Sequence, residues 1–162
     1  MKKLLSLLIL FAAILSFQTT MAQQTEPTAQ TIAKATKMLN GSWEWTETTF
    51  ASRGVKPSTK TPATTKKKIT VTFKPDNQVT VFENGKLVGT YAYKLSIPTD
   101  YIIISFSDES GRNPVREYLE EGPITVSANE LYIAGGYNDA GSNQKFKKLK
   151  AVKTSKTTKK KK

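Results

Sequence analysis

The sequence contains no cysteine and no histidine. Without cysteine there is no thiol catalysis, no iron–sulfur cluster and no disulfide. Without histidine the usual general base, the nucleophile–imidazole pairings and the commonest zinc ligand are gone. No P-loop, no Gly-x-Gly-x-x-Gly turn and no nucleophile elbow is present, so no cofactor is implied. Only one long apolar run occurs, Leu4 to Phe17, and nothing after it is apolar enough to span a membrane as a helix.

What is present begins with that run. Lys2 and Lys3 precede it, and Thr20, Met21 and Ala22 place small residues ahead of a cut before Gln23. Fourteen helical residues reach only ~21 Å, short of a ~30 Å hydrocarbon core. Residues 1–22 therefore read as a cleaved signal peptide, and the mature chain as periplasmic or secreted. No cysteine follows the cut, so no lipid anchor is expected.

The net charge of +12 is unevenly placed. From Gln23 to Gln144 there are 13 Lys plus Arg and 13 Asp plus Glu. Ten cations, all Lys, then lie between Lys145 and Lys162. Residues 153–162 hold no apolar side chain and read as a disordered tail. Its Lys156, Lys159, Lys160, Lys161 and Lys162 are candidates for contact with an anionic envelope surface. A neutral body without an aromatic–basic motif argues against a nucleic-acid partner.

Residues 23–152 read as one all-β domain behind a short helix. Ile32, Ala35 and Leu39 fall near one helical face in Thr25 to Leu39, and Asn40-Gly41 stops the helix. Period-2 runs and turn signals then place strands at Ser42–Phe50, Lys66–Phe73, Gln78–Glu83, Lys86–Leu95, Tyr101–Ser107, Pro114–Glu120, Ile124–Val126, Leu131–Ala134 and Gln144–Val152. Ala51–Thr65 reads as a long polar loop, and Gly135–Asn143 as a Gly/Asn loop. Asn84-Gly85 marks a type I′ hairpin. The pattern predicts an antiparallel up-and-down barrel of about eight strands.

Leu39-Asn40-Gly41-Ser42-Trp43-Glu44-Trp45 is the most specific stretch. Gly41 allows a tight start to the first strand, and Trp43 would point inward and plug the barrel floor, with a late cation across its ring. The stretch resembles the Gly-x-Trp signature of lipocalin-like (calycin) barrels. Thr61-Pro62, the run Thr70 to Phe73 and the hairpin at Val81-Phe82-Glu83-Asn84-Gly85 are similar to the small exported lipocalin-like domains of Bacteroidetes-type bacteria. The likeness covers Ile32 to Leu149. It implies an eight-stranded barrel that holds an apolar small molecule. In that family an Arg packs on the floor Trp, and this chain offers Lys147 or Lys148 instead, so Gly41, Trp43 and Lys148 are the structural motif it implies.

The candidate lining of a ligand cup is Trp43, Trp45, Val71, Phe73, Tyr91, Tyr93, Ile103 and Tyr132. The same residues would serve equally as barrel filling. Asp108-Glu109 and Glu120-Glu121 read as solvated turns, because adjacent strand residues point to opposite faces. Glu44 and Glu47 have no evident partner. No metal-ligand spacing is present. The expectation is a non-enzymatic protein that binds a small apolar or amphipathic molecule. The alternative is an envelope scaffold with a filled barrel and a surface-engaging tail.

Overall fold

A computed structural model describes residues 30–52, 54–106, 115–135 and 140–150. The leader at 1–22 and the tail at 153–162 lie outside the described residues, as does the start of the helix expected from Thr25.

Helix α1 (Ile32–Leu39) begins at Thr31, whose hydroxyl accepts a hydrogen bond from the Lys34 N–H at 3.2 Å. It buries Ala35 and Leu39 completely, whereas Ile32 remains 39% exposed, so the inward face is narrower than the spacing suggests. Asn40 ends it by donating its N–H to the Thr36 carbonyl.

Nine strands follow: β1 (Gly41–Ser52), β2 (Val55–Lys60), β3 (Ile69–Phe73), β4 (Gln78–Glu83), β5 (Lys86–Ser96), β6 (Ile103–Phe106), β7 (Gly122–Val126), β8 (Glu130–Ala134) and β9 (Ala140–Lys148). A single turn of helix, α2 (Pro62–Thr65), sits between β2 and β3. Each of β3 to β9 pairs antiparallel with its neighbour in sequence, and β1 closes the ring between β3 and β9. The result is a closed, eight-stranded antiparallel barrel, with β2 as a ninth strand outside the ring. The Asn84-Gly85 hairpin takes positive φ at both residues, 52° and 78°.

Three expectations change. Ala51–Thr65 is not one loop: β1 runs to Ser52 and turns back as β2, which pairs with Thr48, Thr49 and Phe50. Gly54 sits at the turn, Pro57 on the outer strand, where it costs no ladder bond, and Pro62 at the first position of α2. Residues 115–118 of the expected sixth strand form a turn, closed by the Tyr118 and Leu119 N–H groups on the Val115 carbonyl. Val115 and Leu119 are both fully buried, so the period here is four and not two. β9 starts at Ala140 instead of Gln144, because the long β1 supplies partners for residues 140–143.

Bulges break the regular register. One lies on β1 between Trp45 and Glu47. Before it Trp45 faces Phe146; after it Thr48 faces Gln144 and Phe50 faces Ser142. Directly opposed residues share a face, so the extra residue turns Thr48 and Phe50 to the interior side.

The interior is filled. Trp43, Val71, Val79, Val81, Ile104, Leu131 and Ile133 have no exposed surface, and Phe73, Phe106 and Phe146 have at most 2%. Phe73 and Tyr93 meet edge to face at 5.2 Å. Outside, hydroxyls pair across strands, Ser42 with Thr72 at 2.9 Å and Thr80 with Thr90 at 3.0 Å. Glu44 and Glu47 do find partners, Lys68 just before β3 at 3.1 Å and Lys145 on β9 at 2.7 Å.

The closed end is built as the Gly-x-Trp stretch suggests. The Trp43 indole N–H donates to the Leu39 carbonyl at 2.6 Å, tying β1 to α1. Lys148 places its Nζ 4.7 Å from the Trp43 ring centre and donates to the Met38 carbonyl at 2.5 Å. Gly41 has φ +119°, and a Cβ there would lie 3.3 Å from Lys148 Cε, so a side chain would be strained and would press on the lysine.

Two outcomes follow from this end of the barrel. Leu39→Ala removes a fully buried side chain under the floor and lowers unfolding free energy by about 2–5 kcal/mol in urea titrations. Burial holds the Lys148 ammonium below its ordinary pKa of 10.5. The unfolded chain then binds more protons than the folded chain between the lowered value and 10.5, so this group's contribution to stability rises with pH across that window. Wild type should therefore gain stability relative to Lys148→Met as pH rises from neutral toward 10.5; a constant difference between the two would contradict it.

Candidate functional site

The eight residues expected to line a cup separate into three groups. Trp43, Val71, Phe73 and Tyr93 are buried core, touching one another instead of open space. Tyr91 is half-buried against that core, with its ring laid over Gly89; a Cβ at Gly89 would fall 2.4 Å from the Tyr91 hydroxyl. Ile103 and Tyr132 are misplaced by the sequence reading. Ile103 alternates with buried Ile102 and Ile104, and Tyr132 with buried Leu131 and Ile133, so both lie on the outer face. In β6 both faces are apolar and parity is undetermined by composition; in β8 the aromatic ring is the outward residue.

Trp45, also among the eight, borders the mouth of the barrel. It lines a cavity of about 350 Å3 at the end of the barrel remote from α1. Thr48, Ser142 and Gln144 share its wall from β1 and β9, Lys60 comes from β2, Thr65 and Lys67 from the approach to β3, and Arg116, Glu117 and Glu120 from the turn after β6. Volume places it at the small end of ligand pockets. A second, smaller cleft of about 200 Å3 lies between Gln30 and the Ile97–Ile102 bend, bordered by Ile124 and Thr125.

The mouth cavity is organised by Gln144, a buried polar side chain on β9. Its amide oxygen accepts the Glu120 N–H at 2.9 Å, and its amide nitrogen donates to the Tyr118 carbonyl at 3.2 Å. These bonds hold the turn that inserts Val115 and Leu119 into the barrel. Glu120, expected to be solvated, is half-buried here, and its carboxylate accepts the Ser142 hydroxyl. Its neighbour Glu121 turns away and accepts the Phe106 N–H at 2.7 Å. Trp45 donates its indole N–H to Thr48 at 2.8 Å. The floor is therefore a polar surface of carboxylate, amide and hydroxyl groups with one indole.

The rim mixes signs. Lys67 pairs with Glu83 at 3.4 Å and lies 5.9 Å from the Tyr118 ring centre. The Tyr118 hydroxyl is raised above its usual pKa, first by its hydrogen bond to Glu83 and then by burial and neighbouring charge. Among the described residues Lys60 and Arg116 are in no ion pair. Three cations and two carboxylates thus face one small volume. The turn signal at Glu120 was visible in the sequence, but its convergence with Ser142 and Gln144 was not, because 22 and 24 residues separate them.

Gln144→Leu is nearly isosteric and leaves the Glu120 N–H and Tyr118 carbonyl without their partner. We expect a loss of about 1–3 kcal/mol for each group left buried and unsatisfied, and faster amide hydrogen exchange at Leu119 and Glu120. Unchanged exchange at those two amides would show that the turn is held by its apolar side chains alone.

No family model, curated protein or solved structure matches the chain.

Proposed function

We propose that the protein is an exported, lipocalin-like binding protein that takes up a small amphipathic molecule non-covalently at the mouth of its barrel. The carrying observation is the cavity of about 350 Å3 walled by Trp45, Thr48, Lys60, Arg116, Glu120 and Ser142. An apolar cup lined by Trp43, Val71, Phe73 and Tyr93 is disfavoured, because those side chains already occupy the interior. A purely apolar ligand would leave the Glu120 carboxylate and the rim charges without water, a costly exchange. A ligand with polar groups replaces that water. Ser142 donates to the Glu120 carboxylate, but the chain has no imidazole or thiol to stand with them, and we read the site as binding without turnover. The leader at residues 1–22 and the Gly41, Trp43 and Lys148 arrangement at the barrel floor support the exported, lipocalin-like part of the reading.

The test is a titration of the full mature chain with 1-anilinonaphthalene-8-sulfonate, exciting tryptophan and reading probe emission. Saturable one-to-one transfer is expected, with affinity at least tenfold weaker in Ser142→Leu, whose side chain fills the cavity floor. Transfer of equal strength in that variant would place the probe elsewhere.

A second reading is favoured by the packed interior itself: a scaffold whose Lys-rich tail engages an anionic surface. Under it, cosedimentation with phosphatidylglycerol vesicles falls steeply with salt and disappears in a chain ending at Lys150.

A further inference from the structure

Strand directions decide which residues share the closed end of the barrel. β5 runs toward that end: Tyr91 faces Val79, and Val79 faces Phe73, the partner of Gly41. The bend between β5 and β6, residues 97–102, therefore lies at the α1 end, and Gln30, just before the helix, borders one cleft with Ile97 and Tyr101. β9 ends here too, with Lys147 opposite Glu130 and the Leu149 N–H on the Ser42 carbonyl. Ile97 is 44% exposed and Tyr101 58%, and Ile32 stands exposed two residues after Gln30. Lys34, Lys37, Lys147 and Lys150 are exposed at the same end, against Asp76, Asp100 and Glu130. Residues 151–162 continue from Lys150 and add six lysines and no acid.

We infer that the closed end docks on an anionic lipid bilayer, with Ile97 and Tyr101 entering the headgroup region beside the lysines of residues 150–162. The inference rests on the reading that the tail engages an anionic surface, and it adds the face of the barrel that meets the lipid. Tyr101 pairs an apolar ring with a polar tip, the kind of side chain that settles at headgroup depth. Three exposed apolar side chains fall short of the ~800 Å2 a side that a stable protein partner needs. A bilayer demands no such area. It needs an apolar contact and a basic segment acting together, since either alone holds weakly and reversibly. Here both leave from one end of the barrel, so binding of the tail makes entry of Ile97 and Tyr101 an intramolecular step. The mouth cavity, at the opposite end, stays in water.

The test is cosedimentation of the full mature chain with mixed phosphatidylcholine–phosphatidylglycerol vesicles across a salt series. Both side chains are partly buried already, so the double variant Ile97→Ser, Tyr101→Ser should bind about tenfold more weakly. Its salt dependence should match wild type, because the charges are untouched. Tyr101→Trp should bind at least as well as wild type, and its added emission should shift to the blue on vesicles. Leu87→Ser removes a side chain 63% exposed at the opposite end and should change nothing. A double variant that binds like wild type overturns docking of this face and leaves the tail reading standing. Equal weakening by Leu87→Ser overturns it as well. A wild-type dimer in the absence of lipid, lost in the double variant, gives the face to a second copy of the chain and overturns the bilayer. No vesicle binding by wild type overturns the inference and the tail reading together.

Discussion

The lysine across the floor tryptophan is the contact from which the barrel is organised. Lys148 is the last residue of β9, Trp43 lies near the start of β1, and their contact brings the two ends of the sheet together. The same pair reaches back to α1, through the indole bond to Leu39 and the ammonium bond to Met38. Sheet closure, helix docking and burial of the largest core side chain are therefore one event. A cation held against an aromatic face and a backbone carbonyl repays part of its lost hydration, and the depressed Lys148 pKa shows that some of that loss remains. Gly41 makes this possible by leaving room for the lysine stem at a positive φ.

From that end the barrel fills as it rises. Aromatic and branched side chains from all eight ring strands meet on the axis, and the Val115–Leu119 turn closes the remaining space. An eight-stranded barrel is wide enough for side chains or for one small ligand. Here side chains take that space, which displaces any site to the mouth. The bulge after Trp45 matters for the same reason. Without the extra residue, Thr48 and Phe50 would face outward, and the inner face of β1 beyond Trp45 would carry Glu47 and Thr49.

The mouth is held by polar contacts in place of apolar packing. Gln144 is buried with its amide oxygen and its amide nitrogen each hydrogen-bonded, and Glu120 and Ser142 complete the group. Buried polar groups of this kind are stable only when every member is satisfied, so they fix the geometry of a site more narrowly than packing does. The binding reading depends on this arrangement.

Much of the architecture was legible in the residues alone. Strict alternation in Ile69–Phe73, the Asn84-Gly85 turn and the Gly41–Trp43 stretch specify the strands, a hairpin and the closed end, because each is a local rule of backbone geometry. The strand count and the antiparallel barrel follow from them. Local rules failed where parity or period depended on a partner strand. Ile103 and Tyr132 were assigned inward and lie outward, Val115–Tyr118 is a turn in place of a strand, and the polar run after Phe50 pairs as β2. Apart from Trp45, which the sequence does single out, the cavity belongs to the second category. Glu120, Gln144 and Lys60 carry no signal singly, and only closure of β1 on β9, which joins residues about a hundred positions apart, brings them to one wall.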